Sequence, residues 1–211
     1  MKKIIIMIGL LVLLTGCTNI NKLSYEEIMN NISVNSSKRN IYRTGYSYYL
    51  PRGMQVADST LYNEIIEDAN NRYYLYVDVV SYDKKIEKEY QVNSNAIYSS
   101  KISLEDKFGY VEINLLKNDK YLVEIMYNYA KIEVIVDKNN CKEAMLSIIN
   151  ILKSVEYNDS IIANLMGDDI LNFNEEEFNI FNTKGSESNY ITVDDNYKEE
   201  EEKIFDPDLI N

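Results

Sequence analysis

The side chains that most often activate a nucleophile are absent from this chain. It has 211 residues, no histidine and only two cysteines, Cys17 and Cys141. Without histidine, Ser-His and Cys-His nucleophile pairs and histidine metal ligands are excluded. Cys141 lies at the start of a predicted helix, where a thiol can have a lowered pKa, but the sequence shows no partner base. We therefore expect Cys141 to be a small structural side chain, and we expect no enzyme activity.

Some acidic residues are adjacent, such as the pairs at positions 168–169 and 194–195. Glycosidase chemistry needs two carboxylates across a cleft, which adjacent acids in a polar segment do not provide. Asp194-Asp195-Asn196 offers oxygen ligands for calcium but lacks the spacing of a calcium-binding loop. A solvated acidic surface is the interpretation that these pairs favour, and we expect no metal ion or other cofactor.

Alternating tyrosines form the most site-like pattern in the sequence. The alternation over residues 72–82 predicts a strand with Tyr74, Tyr76, Asp78 and Tyr82 on one face. Because aromatic rings stack on sugars, these four residues are a possible ligand face. The alternative is a sheet face that a helix or the tail half covers, since tyrosine is common in strands that are partly exposed to solvent.

The N-terminus is built like an export signal. Lys2 and Lys3 precede an apolar run over residues 4–14, and small residues then lead into Cys17. The run is shorter than the roughly 20 residues of a membrane span. An uncleaved short anchor and a buried helix are the alternatives. The flanking lysines and the polar stretch after Cys17 disfavour the buried helix.

Leu14-Thr15-Gly16-Cys17 resembles the lipobox of bacterial lipoprotein precursors. In that family the cysteine thiol receives a diacylglyceryl group, and the chain is cut just before it. The resemblance implies a signal peptide at residues 1–16, a lipidated N-terminus and spacer at residues 17–23, and anchoring to the outer face of a cell membrane. Two or three acyl chains would hold the protein there stably.

The middle of the chain predicts an α+β domain at residues 24–157. Ser24 and Glu27 have the spacing of a capping box, which predicts a helix through about Ile32. An apolar stripe predicts a second helix that ends near Lys153 and covers a sheet. Strands are predicted at residues 46–50, 54–58, 61–67, 72–82, 96–104, 107–116, 121–128, 131–137 and 154–157. The predicted fold class is α+β, with an antiparallel β-sheet meander, an N-terminal helix and a C-terminal covering helix.

Two short motifs in this domain resemble those of a known family. Residues 45–51 read Gly-Tyr-Ser-Tyr-Tyr-Leu-Pro, and residues 149–155 read Ile-Asn-Ile-Leu-Lys-Ser-Val. With these motifs, residues 40–157 resemble the Mog1/PsbP-like fold. The family includes photosystem assembly subunits, a nuclear-transport factor and bacterial lipoproteins of unknown role. The resemblance implies a binding scaffold and names no activity.

Charge divides the chain into a neutral body and an acidic tail. Residues 1–157 hold 19 basic and 19 acidic side chains, whereas residues 158–211 hold 3 basic and 15 acidic ones. We expect residues 158–184 to be a partly helical extension and residues 185–211 to be disordered. Neither part offers the basic face that nucleic-acid binding requires, so no nucleic-acid partner is expected.

These observations predict a membrane-anchored extracytoplasmic lipoprotein that acts as a non-enzymatic protein-interaction module. The expected partners are the membrane, through the lipid on Cys17, and an unidentified protein. The alternative is a ligand-binding module for cell-wall glycan or peptide, which would use the face of Tyr74, Tyr76, Asp78 and Tyr82. A contiguous apolar or aromatic surface patch would favour the protein-interaction module. A pocket lined by the sheet tyrosines would favour the ligand-binding module.

Overall fold

A computed structural model describes residues 20–30, 38–104 and 106–167. All of them belong to the first of two units, Met1–Phe178. The predicted signal peptide, Cys17, both acidic pairs and the predicted disordered tail lie outside the described residues. Most of the predicted partly helical extension lies outside them as well.

Four α-helices occur in the described part of the chain, and the first begins at the predicted capping box. The Ser24 N–H donates to Glu27 Oε2 at 2.7 Å, and the Glu27 N–H donates to Ser24 Oγ at 3.1 Å. These two bonds satisfy backbone donors that the first helical turn leaves free. The helices are α1 (Tyr25–Asn30), α2 (Val79–Lys84), α3 (Cys141–Lys153) and α4 (Asp159–Gly167).

Within the described ranges, ten strands form two antiparallel sheets. They are β1 (Ile41–Arg43), β2 (Tyr46–Tyr48), β3 (Gln55–Ser59), β4 (Asn63–Glu67), β5 (Arg72–Val77), β6 (Tyr98–Leu104), β7 (Lys107–Leu115), β8 (Lys120–Tyr127), β9 (Ala130–Asp137) and β10 (Glu156–Tyr157). The small sheet has the order β1-β2-β10, and the large sheet has the order β3-β4-β5-β9-β8-β7-β6. The predicted α+β class is confirmed. The strand order adds detail to the predicted meander. Strands β3–β5 form one meander, strands β6–β9 form a second one, and β9 pairs with β5.

The core lies between α3 and one face of the large sheet. Period-two alternation in the strands and an apolar stripe on α3 bring these two surfaces together. The sheet side of the core is fully buried at Leu75, Val111, Ile113, Val123, Ile125, Ile132 and Val134, and α3 contributes Ala144, Met145, Ile148, Ile149 and Leu152.

Hydrogen bonds join the small sheet to the end of α3. The Tyr49 N–H donates to Ser154 Oγ at 2.8 Å, and the Ser154 hydroxyl donates to the Ile151 carbonyl at 2.6 Å. Beyond β10, the Asn158 N–H donates to the Gly45 carbonyl at 2.8 Å, and Ile162 of α4 is buried in the core. The folded body therefore continues past residue 157 through α4.

The predicted strand at residues 72–82 is wrong beyond Val77. Asp78 begins α2 there, because its carboxylate accepts the Ser81 N–H at 2.8 Å and caps the helix. The β-branched pair at positions 79–80 and the aromatic residue at 82 favour a strand by propensity, but the cap and burial of Val79 override it. Strand β1 was not predicted. The other predicted strands occur, with ends shifted by up to two residues.

Candidate functional site

The outer face of the large sheet, turned away from α3, carries most of its polar side chains. The register places Tyr74 opposite Glu133 and Tyr76 opposite Lys131. It also places Glu133 opposite Glu124 and Glu124 opposite Glu112, so three carboxylates cross strands β9, β8 and β7 in line. We call Glu112, Glu124 and Glu133 the carboxylate row.

Two members of the carboxylate row are buried and Glu112 is half-buried, although like charges directly opposite each other are unfavourable. Glu133 is 1% exposed and Glu124 is 8% exposed. Lys131 Nζ lies 2.9 Å from Glu133 Oε1, and the Tyr110 hydroxyl donates to Glu124 Oε1. Burial raises the pKa of Glu133 to about 7; the Lys131 ammonium opposes the rise, and the Glu124 carboxyl adds to it.

The segment at residues 85–97, between α2 and β6, covers one end of the row. The Tyr90 ring stacks parallel on the Tyr110 ring, with centroids 4.1 Å apart. The Tyr90 hydroxyl donates to Glu112 Oε2, and Asn93 Nδ2 donates to Glu112 Oε1 at 2.9 Å. Protein groups therefore bind the Glu112 and Glu124 carboxylates, whereas Glu133 is held only by the ion pair with Lys131 among the contacts described for it.

The predicted ligand face is divided between two places. Tyr74 is half-buried and Tyr76 is buried, and both lie on the outer face. Asp78 caps α2 and pairs with Lys88 Nζ at 3.0 Å.

Tyr82 stacks on Tyr157 with centroids 3.8 Å apart, and its hydroxyl donates to Asp159 at 2.6 Å. Burial, with that hydrogen bond, raises the pKa of Tyr82 to about 12. The structure thus brings Tyr74 and Tyr76 together, while Tyr82 lies in the contact with β10 and α4.

A groove of about 590 Å³ lies between α1, β6 and the C-terminal half of α3. Its lining includes the buried apolar side chains of Val111, Ile125 and Leu152, and three serines of β6, Ser99, Ser100 and Ser103. Half-buried hydrophobic side chains line its mouth, namely Met29, Tyr98 and Ile102, and the charged side chains around it are Glu26, Lys101 and Lys153. Burial lowers the pKa of Lys153. Residue spacing within β6 does not reveal this groove, because three distant segments form it.

Strand β6 is an edge of the large sheet and pairs with β7 alone in the described part of the chain. The Asn128 N–H donates to the Phe108 carbonyl, so even-numbered residues of β7 bond to β8 and odd-numbered ones face β6. Ser100 pairs with Val111 and Ile102 pairs with Gly109. The backbone N–H and C=O groups of Lys101 and Ser103 therefore point away from the sheet, beside the groove.

A further buried carboxylate, Glu64, was not anticipated from the sequence. Arg43 Nη2 lies 2.7 Å from Glu64 Oε2, and the Tyr46 and Tyr48 hydroxyls each donate to the carboxylate at 2.9 Å. This cluster joins the small sheet to β4. An acid at an inward-facing position of a predicted strand is the signal that could have indicated it.

The thiol of Cys141 is buried in the core. Burial raises its pKa to about 11, so it is un-ionised at neutral pH and a poor nucleophile. This agrees with the structural role expected for Cys141. No group of side chains with metal-ligand geometry occurs among the described residues. In the same part of the chain, no helix is long and apolar enough to span a bilayer.

Comparison with known proteins identifies a feature of the N-terminus. Residues 1–18 match the family model of the prokaryotic membrane lipoprotein lipid attachment site. The chain is a membrane-anchored lipoprotein, with a signal peptide and a lipid attachment site in the matched residues. Cys17 is the cysteine within them. Neither the curated proteins nor the solved structures contain a match to this lipoprotein.

Proposed function

We propose that this lipoprotein is a non-enzymatic interaction module on the extracytoplasmic face of the cell membrane, with Cys17 as the lipidated residue. Its partner is a protein that adds an extended segment to the β6 edge. The observation that carries the proposal is a regular edge strand with outward backbone donors at Lys101 and Ser103, beside a groove that has buried apolar side chains among its lining.

Strand addition uses both features together. Backbone hydrogen bonds to β6 would supply affinity, and every second side chain of the partner segment would fall toward the mouth of the groove, beside Ile102 and Met29. An acidic residue of the segment would fit near Lys101. The resemblance of residues 40–157 to the Mog1/PsbP-like binding scaffold accords with this proposal.

The alternative, a glycan or peptide ligand on the tyrosine face, has weaker support. Tyr76 is buried, and Lys88 Nζ lies 5.7 Å from its ring centroid. The Tyr82 ring is sandwiched between Tyr157 and Lys85 Nζ, which lies 3.8 Å from the centroid. Only Tyr74 leaves part of its ring for a ligand, and one ring is a poor stacking platform.

The test of strand addition is Lys101→Pro, with Lys101→Gln as the matched control. Proline removes the outward N–H without touching the bonds to β7, whereas glutamine removes the charge and keeps the N–H. Proteins crosslinked to the parent in intact membranes should be lost with the proline variant and retained with the glutamine variant. Equal recovery with both variants, each melting near the parent's temperature, would contradict the proposal. Ser103→Pro is the second blocking variant.

The lipid site is tested separately by Cys17→Ser. The variant lacks the thiol that carries the diacylglyceryl group, so it should leave the membrane fraction and the detergent phase. A variant that partitions like the parent would show that another element anchors the chain.

A further inference from the structure

The lipid attachment site is separated from the folded domain by a very short stretch of chain. Only residues 18 and 19 lie between Cys17 and Ile20, the first residue of a 3₁₀ helix at Ile20–Lys22. Consecutive Cα atoms are 3.8 Å apart, so the Cα atoms of Cys17 and Ile20 are at most about 11 Å apart in any conformation. A long flexible linker, which would allow free rotation of the domain, is excluded.

Ile20–Lys22 is held firmly against the first turn of α3. Lys142 Nζ donates to the Asn21 carbonyl at 2.9 Å and also to the Leu23 carbonyl. The side chains of Ile20 and Leu23 pack against the core, and the Leu23 N–H donates to the Ile20 carbonyl at 3.1 Å. The point at which the tether enters the fold is therefore fixed relative to the sheet.

The register identifies which end of the domain lies near this point. Strand β9 ends at Asp137, and residues Lys138–Asn140 lead directly into α3. Lys120 pairs with Asp137, so the turn between β7 and β8 lies at the same end. We call the turn residues 116–119, the adjoining Leu115 and residues 138–140 the anchor end. The turn between β6 and β7 lies at the opposite end.

We propose that the anchor end lies against the surface of the lipid bilayer, with Leu115 and Lys117 at the level of the head groups. The inference rests on lipid attachment at Cys17 and does not depend on the β6 partner. Leu115 is 58% exposed although it is a large apolar side chain. Lys117 and Lys138 are exposed at the same end, and Lys120 Nζ lies 2.7 Å from Asp137 Oδ1.

The charge of the anchor end is mixed, because Asp119 and Asp137 are exposed there too. Attraction of its lysines to anionic head groups is therefore partly cancelled, and the short tether is the main cause of the orientation. In this orientation β6 starts near the membrane at Tyr98 and runs away from it. A partner segment paired with β6 would then lie at a steep angle to the bilayer plane.

The experiment compares two labels on the lipidated protein in phosphatidylcholine vesicles that contain a head-group nitroxide lipid. Lys117→Cys places a fluorophore at the anchor end, and Asp106→Cys places one at the opposite end; the buried Cys141 stays unlabelled. Quenching should be several-fold stronger at position 117 than at position 106. Equal quenching at the two positions would overturn the proposal.

A second variant tests the tether as the cause. A Gly-Ser insertion of about 20 residues before Ile20, with a root-mean-square span of about 25 Å, should remove the difference between the two labels. If quenching still differs between positions 117 and 106 after the insertion, the short tether is not the cause of the orientation. Vesicle flotation is measured first in every sample. Protein that fails to float indicates failed lipid attachment, which is thereby distinguished from a wrong orientation.

Discussion

The two edges of the large sheet are built differently. Strand β3 has five residues, and its register shifts between Val56 and Asp58, as a β-bulge does. Strand β6 has seven residues, pairs with β7 without a shift, and borders the groove. Short and bulged edges resist the addition of a further strand, whereas long and regular edges invite it. The contrast indicates that β3 is the protected edge and β6 the edge available to a partner.

The largest expected effect on stability concerns Gly109 in β7, the strand that pairs with the β6 edge. Gly109 pairs with Ile102 of β6, and a Cβ at this position would lie 2.1 Å from the Met126 carbonyl oxygen. Gly109→Ala should therefore displace β7 from β8 and lower the free energy of unfolding by about 3 kcal/mol or more.

Gly53, just before β3, is the matched control for Gly109. A Cβ there meets open space, and only its φ of +85° is strained, so Gly53→Ala should cost about 1 kcal/mol. Urea denaturation of both variants measures the difference. Equal losses would show that β7 can adjust at Gly109.

A second expected effect concerns pH, because the carboxylate row lies on the β6 side of the outer face. The pKa of Glu133 is raised from 4.5 to about 7 by burial. Between these values the folded state binds more protons than the unfolded state, so the stability that Glu133 contributes is lost as pH rises from about 4.5 to 7. The loss should be of the order of 2 kcal/mol.

Glu133→Gln should flatten this pH dependence, since glutamine does not titrate. Glu89→Gln, at an exposed acid in the covering segment, should leave the slope unchanged. Thermal melts from pH 4.5 to 8 measure both slopes. An unchanged slope in Glu133→Gln would assign the pH dependence to other groups.

The third prediction compares matched apolar side chains on the two edges. Ile102 on β6 and Val56 on β3 are both half-buried and pack against the core. Ile102→Thr and Val56→Thr should each cost about 1 kcal/mol in stability. Partner affinity should fall about tenfold with Ile102→Thr, a loss of about 1.4 kcal/mol, and should be unchanged with Val56→Thr. Similar partner affinities for both variants would show that the partner does not bind at the groove.

Local patterns in the sequence predicted the elements but not their neighbours. The capping box at Ser24 and Glu27 and the stripe on α3 are short-range signals, and both were confirmed. The return of β9 beside β5 depends on pairing between distant strands, which no local spacing specifies. At residues 79–82, β-branched and aromatic propensity concealed a helix that the cap at Asp78 begins.

Local sequence patterns also could not show which distant residues meet in the candidate sites. Alternation correctly placed Tyr74 and Tyr76 on one face, but Glu124 and Glu133 become neighbours only through the register of β8 and β9. The groove needs α1, β6 and α3 in their final positions, so it could not be predicted before the strand order was known.

Amide hydrogen exchange on the complex with a crosslinked partner tests the central claim most directly. Strand addition predicts that the amides of Lys101 and Ser103 exchange several-fold more slowly when the partner is bound, because each N–H then donates to the added strand. Amides of β3 should exchange at the same rate with and without the partner. Unchanged exchange at Lys101 and Ser103 in the bound state would contradict the assignment of β6 as the binding edge.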